Sequence, residues 1–273
     1  MENIKKYIKE RRSVRTYDGR EVTEEMSKKL MSFAGGIANP LGIPVVFRFL
    51  EAKRDGLTCP VVSGTELYVG GKTGLTADSY LAFGYSFETF VLYAQSLGLG
   101  TVWLGGTMNR PAFEKAMELR EGETMPCATA IGYASSKMSL RESMMRKAIK
   151  ADERMSFEEL FFGGSFDSPL SPEAAGMLAD ALEAVRLAPS AVNKQPWRVV
   201  TAGNAAHFYL RRSKGFSREG KLDMQMIDMG IALCHFALTA EEGGSNPSFV
   251  RSEPDIPHGP ELEYIASYLL DRK

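Results

Sequence analysis

Hydrophobic positions along this chain recur with two periods, and the switches between them mark out elements. The first forty residues read as helical and charged. Thr23 is placed as an N-cap, with Glu24 and Glu25 in the first turn, where the helix dipole favours acids. The run Pro44-Val45-Val46-Phe47-Arg48-Phe49-Leu50 has strand composition, and residues 80–97 are apolar at helical spacing. Residues 101–104 predict a short buried strand. Asn109, with Pro111 just inside, predicts a helix reaching Glu118, and residues 128–133 a further buried strand. Residues 163–169, Gly-Gly-Ser-Phe-Asp-Ser-Pro, read as a linker. Ser171-Pro172-Glu173 then predicts a helix start, followed by an apolar stripe through Leu178, Ala181, Leu182 and Val185 until Pro189. Residues 197–201 predict another strand. Helices alternating with strands imply a layered α+β or α/β fold.

The two sides of the linker share a faint repeat. Gly84, Phe90, Leu92, Ala94 and Gly98 stand at offsets 0, 6, 8, 10 and 14, and Gly230, Phe236, Leu238, Ala240 and Gly244 stand at the same five. Upstream of each set, a strand carries an aromatic-Arg pair, Phe47-Arg48 and Trp197-Arg198. Agreement in both spacing and order points to a diverged tandem duplication, with halves at residues 1–163 and 164–273.

Composition narrows the class. Of 273 residues, 44% are hydrophobic, and 33 Lys+Arg nearly balance 34 Asp+Glu. Such a chain can bury a sizeable core, and it lacks the positive excess of a nucleic-acid binder. Cys59, Cys127 and Cys234 form no Cys-x-x-Cys pair, which reads as buried thiols in a reducing, cytoplasmic compartment. The charge-free stretch 89–109 is long enough on paper to cross a bilayer. Its glycines at 98, 100, 105 and 106 instead predict a helix end followed by a strand, and no membrane partner.

Several motifs fail on one residue. Gly71-Lys72-Thr73 ends like a phosphate loop, but Glu66 occupies the earlier glycine position. Gly98-Leu99-Gly100 needs a third glycine where Trp103 stands, and Gly84-Tyr85-Ser86-Phe87-Glu88 misses a nucleophile elbow at Glu88. His207, His235 and His258 lack metal-ligand spacing, and His235 reads as a hydrogen-bonded core residue.

Three segments remain. Arg11-Arg12-Ser13-Val14-Arg15 offers guanidinium forks and a hydroxyl suited to a polyoxygen anion, or else a solvated basic face. Residues 1–20 carry seven bases against three acids, and residues 137–154, ending at Arg154, carry six against three. Ala188-Pro189-Ser190-Ala191-Val192-Asn193-Lys194-Gln195-Pro196-Trp197 leaves a helix and enters a strand, a junction where ligand contacts gather. Gly105-Gly106 follows a buried strand and leaves its backbone N–H groups open to a flat ligand, or simply makes a tight turn.

In this order the three segments resemble the flavin-dependent nitroreductase family, with its Arg-Arg-Ser-x-Arg opening, Pro-Ser-x-x-Asn-x-Gln-Pro-Trp loop and Leu-Gly-Leu-Gly-Thr stretch before a glycine turn. Here Ala191 replaces a second serine of the loop, and Ala188 stands 177 positions after Arg11. The family is usually a homodimer with FMN held across the interface, so this chain resembles such a dimer fused head to tail: a nitroreductase-like α+β fold forming a monomeric, intramolecular pseudo-dimer. The resemblance implies one FMN per chain. Arg11, Arg12, Ser13, Arg15, Gly105 and Gly106 would come from the first half, and Pro189, Ser190 and Asn193 from the second. Arg154 would be a phosphate partner, although Asp152 stands where the family often has lysine. The reciprocal site is expected to be lost, because Asn39-Pro40-Leu41-Gly42 replaces the loop in the first half. The activity implied is hydride transfer from NAD(P)H through flavin N5 to an electron-poor small molecule, with no protein acid or nucleophile required. A flavin-holding sensor or carrier without turnover is the alternative.

Overall fold

A computed structural model describes the chain except residues 214–215, 217–221 and 273. In chain order its elements are α1 (Ile4–Glu10), α2 (Glu24–Gly35), β1 (Val46–Glu51), α3 (Ala52–Asp55), β2 (Leu67–Lys72), α4 (Ala77–Ser96), β3 (Gly100–Leu104), α5 (Arg110–Ala116), β4 (Ala128–Gly132), α6 (Leu140–Ala148), α7 (Phe157–Leu160), β5 (Phe161–Gly163), α8 (Ala179–Leu187), β6 (Trp197–Ala202), β7 (Ala205–Arg211), α9 (Met224–Glu242), β8 (Ser245–Val250) and β9 (Leu262–Arg272). They form two compact units. The first is Glu10–Ala151; the second is Met1–Lys9 with Asp152–Lys273.

Each unit wraps one sheet around one long apolar helix. The first sheet runs β1-β2-β4-β3, and the second runs β5-β6-β7-β9-β8. With β5 set aside, the two orders are the same, every neighbouring pair in both is antiparallel, and the long helix follows the second strand in each. The duplication read from spacing is therefore present in topology. Its repeated phenylalanines each pack on a phenylalanine of their own sheet: Phe90 on α4 lies 5.3 Å from Phe47 of β1, and Phe236 on α9 lies 5.4 Å edge-on to Phe208 of β7. Strand β5, the addition, pairs in parallel with β6.

Local signals explain most boundaries. Thr23 caps α2, its hydroxyl accepting the Met26 N–H. Among the described residues, no helix is long and apolar enough to cross a membrane, and the stretch 89–109 resolves into the end of α4 and strand β3. Three expectations need correction. The helix expected to reach Glu118 stops at Ala116, with Glu118 in the left-handed region at φ 52°. At Ser171 the hydroxyl does accept the Ala174 N–H, but Gly176 at φ 54° interrupts the turns, so the regular helix begins only at Ala179. Residues 163–169 do not run free as a linker. They fold back so that Gly163 and Leu170 donate to Ser168 and Phe161, closing a hairpin beside β6.

The arginine segment is threaded along the first sheet. Ser13 bridges Thr101 of β3 in parallel, and Val14 donates to the Thr101 carbonyl at 2.8 Å. Ser63 donates to Arg15, and Tyr17 donates back to Ser63. Gly100 permits this approach, because a Cβ there would lie 2.8 Å from Val14 Cγ2. We expect Gly100→Ala to cost about 1–3 kcal/mol by overpacking, read as a lower urea midpoint; an unchanged midpoint would show that the segment can give way.

Candidate functional site

In the first unit the arginine segment sits on two buried carboxylates. Arg11 Nε lies 3.8 Å from Glu88 Oε1, with both side chains withdrawn from water, and the Trp103 indole donates to the other Glu88 oxygen at 2.9 Å. Arg12 Nη1 approaches Glu142 Oε1 at 3.6 Å, and Glu142 Oε2 accepts the Thr16 hydroxyl at 2.7 Å. Thr16 in turn accepts the Ser139 N–H, and Ser139 caps α6, so the helix bearing Glu142 is fastened to the segment.

Arg15 is the unusual member. It is only 8% exposed, and its Nε and Nη1 are buried without a hydrogen-bond partner. Burial lowers its pKa, Glu142 partly offsets this, and the nearby Arg146 lowers it further; Arg11 shows the same pattern with Glu88. Arg146 thus acts on both Arg11 and Arg15, and with Arg12 four guanidiniums stand against the two carboxylates Glu88 and Glu142, which leaves a positive local field. Gly105 and Gly106 lie at the end of β3. There Arg110 donates to the carbonyls of Gly105 at 2.5 Å, Met125 at 2.7 Å and Pro126 at 3.0 Å, fixing the turn.

In the second unit the loop between α8 and β6 is strained. Val192, Asn193 and Gln195 hold φ at 49°, 57° and 46°. For a β-branched residue such as Val192 this backbone is costly, and strain of this kind clusters at ligand sites. Short bonds within the loop hold it: Ser190 Oγ accepts the Gln195 N–H, and the Ser190 carbonyl accepts the Asn193 N–H. Arg154, remote in sequence, donates to Asn193 Oδ1 at 3.3 Å, while Asn193 Nδ2 donates to the Glu153 carbonyl. Met155 donates to Gln195 Oε1. From α9, Asp228 Oδ1 accepts the Ala191 N–H at 2.9 Å. Asp228 is 2% exposed, and burial pushes its pKa up to about 8.

The structure therefore gathers the predicted residues into two sets: Arg11, Arg12, Ser13, Arg15, Gly105 and Gly106 in the first unit, and Arg154, Pro189, Ser190 and Asn193 in the second. Sequence reasoning missed Glu142, Arg110 and Asp228, and met Glu88 only as the residue that spoils an elbow motif. A signal was available for two of them, since Glu88 and Asp228 are ionisable positions inside otherwise apolar helical runs. His235 is placed as expected, fully buried with Nδ1 2.9 Å from the Ala184 carbonyl. Among the described residues no His, Cys, Asp and Glu group could hold a metal ion.

A family model described as "Putative TM nitroreductase" matches residues 3–240. The chain belongs to this nitroreductase family. Its whole length is similar in fold to a crystal structure of a "putative nitroreductase" from Thermotoga maritima, at 19% identity and TM-score 0.65, covering 98% of this chain and 94% of that one. Two shorter structures align with about half of it: a "Putative NADH dehydrogenase/NAD(P)H nitroreductase" from Bacteroides thetaiotaomicron (20% identity, TM-score 0.43, 51% of this chain, 90% of that one) and a "putative nitroreductase in complex with fmn" from Desulfovibrio desulfuricans (22%, 0.41, 52% and 95%). No curated protein matches the chain. For this member of the family, the α+β fold with two related halves is thus established over the described residues.

Two outcomes are expected of the buried acids. Glu142→Ala strips Thr16 of its acceptor and Arg12 of its partner, and should cost about 2–3 kcal/mol in urea unfolding. A loss below about 0.5 kcal/mol would mean the acid is idle. Asp228 binds its proton more tightly folded than unfolded, so its contribution is complete below about pH 4. It is lost progressively as pH rises to about 8, and levels off above that. Relative to Asp228→Asn, wild-type stability should follow that curve, and parallel profiles would refute it.

Proposed function

We propose that the chain is an FMN-dependent NAD(P)H oxidoreductase of nitroreductase type, with one FMN per chain. The observation that carries this reading is Arg15, a buried guanidinium whose Nε and Nη1 have no acceptor in the fold. Buried N–H groups left unmet are costly, and a ligand with carbonyl and ring-nitrogen acceptors would satisfy them. The strained loop around Asn193 supports the same reading from the second unit.

Bound FMN would supply the redox chemistry, taking hydride from NAD(P)H and passing it, in ping-pong order, to an electron-poor small acceptor. Arg15 would hold the N1 and C2-carbonyl edge, where a preorganised cation in a dry setting favours added negative charge. Ser13, Arg11 and Arg12 would hold the phosphate, with Arg154 as a further partner. Arg11 and Arg12 each face a buried carboxylate, and Arg12, whose side chain keeps 35% exposure, is the more accessible of the two. Gly105 and Gly106 would present backbone N–H groups, and Pro189, Ser190 and Asn193 a rigid polar wall. The three cysteines are buried and form no disulfide, as suits a reducing cytoplasm.

The purified chain should be yellow, with one flavin released per chain on denaturation. Arg15→Ala and Asn193→Ala should each weaken FMN binding about tenfold or more; wild-type affinity in both would remove the proposed site. Mixed anaerobically with NADH or NADPH, bound flavin should bleach within minutes. If it stays oxidised with both donors, the reductase reading fails and a non-catalytic flavin carrier replaces it.

A further inference from the structure

We propose that Asp228 is the positioning residue of the 188–197 loop: its Oδ1 holds the Ala191 N–H and thereby fixes the left-handed backbone of Val192 and Asn193. The inference rests on the reading of that loop as a flavin contact. It names a residue on α9, outside the loop, that the flavin assignment does not use.

Three observations support it. First, the strain needs a restraint. Val192 is 55% exposed, so burial of its own side chain cannot hold it in an unfavourable backbone region. The bonds from Ser190 to Asn193 and Gln195 close the loop on itself, whereas the 2.9 Å bond from Ala191 to Asp228 ties it to the long helix of the unit. Second, Asp228 is expensive where it stands. Its Oδ2 is buried with no hydrogen-bond partner, and burial keeps the carboxyl largely protonated at neutral pH. The charge acting on it is Asp223 at the helix N-cap, itself paired with Arg212. A buried acid with one oxygen unmet is not a packing choice that an apolar helix needs.

Third, the duplication supplies an internal control. Asp228 stands two residues before Gly230, and the corresponding position two before Gly84 is Ala82, fully buried and without an acceptor. That is also the half in which Asn39-Pro40-Leu41-Gly42 takes the loop's place. There the turn is held by its own asparagine, Asn39 donating to the Ile43 carbonyl and to the Ser86 hydroxyl of α4 and accepting from Leu41, with Gly42 supplying the positive φ at 66° and no carboxyl involved. The carboxyl and the strained loop occur together in one half and are both missing from the other.

Amide hydrogen exchange at Ala191 in the flavin-free full chain, together with FMN titration, tests this in Asp228→Ala, Asp228→Leu and Asp228→Asn. The leucine suits the apolar surroundings and guards against a variant that merely unfolds. Loss of the acceptor in the alanine and leucine variants should speed Ala191 exchange and raise the Kd for FMN, each by about tenfold or more. The asparagine variant, which keeps an oxygen at that place, should rescue both to within about threefold of wild type. Wild-type exchange and affinity in the leucine variant would overturn the proposal, as would an asparagine variant no better than leucine. A wild-type chain that binds no FMN would refute the flavin reading instead, and the Ala191 exchange rates would still decide the role of Asp228.

Discussion

A guanidinium buried without acceptors constrains the first unit more than any other group in it. Arg15 is too deep for water to solvate and too far from a carboxylate to be hydrogen-bonded. Its surroundings are arranged around that fact. Glu142 lowers the penalty from α6, Ser139 caps that helix while donating to Thr16, and Thr16 closes the circuit on Glu142. The segment cannot swing outward to solvate Arg15, because Ser13 and Val14 are stitched to β3 and Arg15 to Ser63. A fold that keeps such a group from water carries a cost that an acceptor brought to it would offset.

In the second unit the cost lies in backbone conformation rather than in charge. Left-handed φ at two adjacent non-glycine residues, Val192 and Asn193, stores strain that the Ser190 bonds, the Arg154 contact and Asp228 together hold in place. Side-chain restraints of this sort give a rigid polar surface. A loop of glycines would reach the same shape and lose it to entropy.

Much of the fold was legible because burial leaves periodic marks. The apolar runs of α4 and α9, the strands at 101–104 and 128–132, and the matched phenylalanines at 90 and 236 follow from alternation and spacing. The signals that misled were local ones overridden nearby. Ser171 caps a turn as its chemistry requires, yet Gly176 interrupts the helix that should grow from it, and the glycines at 163–164 serve a hairpin instead of a tether. At the candidate site, the residue types proposed to meet a ligand were readable, because arginine forks and a Pro-bounded polar loop announce themselves. Their supports were not. Glu142 looks like any acid in a basic stretch, and only three-dimensional packing shows it to be buried. Arg110 resembles a surface residue until its three carbonyl partners are known.

The parallel bridge between Ser13 and Thr101 has a consequence beyond binding. Strand β3 lies at the end of its sheet, and an end strand displays a row of unpaired backbone groups that can recruit other chains. The arginine segment lies along that margin and pairs part of it through its backbone, Val14 donating to the Thr101 carbonyl. Backbone pairing of this kind leaves fewer free groups on the edge for another chain to meet. A substitution that frees the segment would be felt first as loss of soluble protein in the cell, before any loss of turnover per molecule. Selection for solubility alone would then preserve the pairing of this segment with β3.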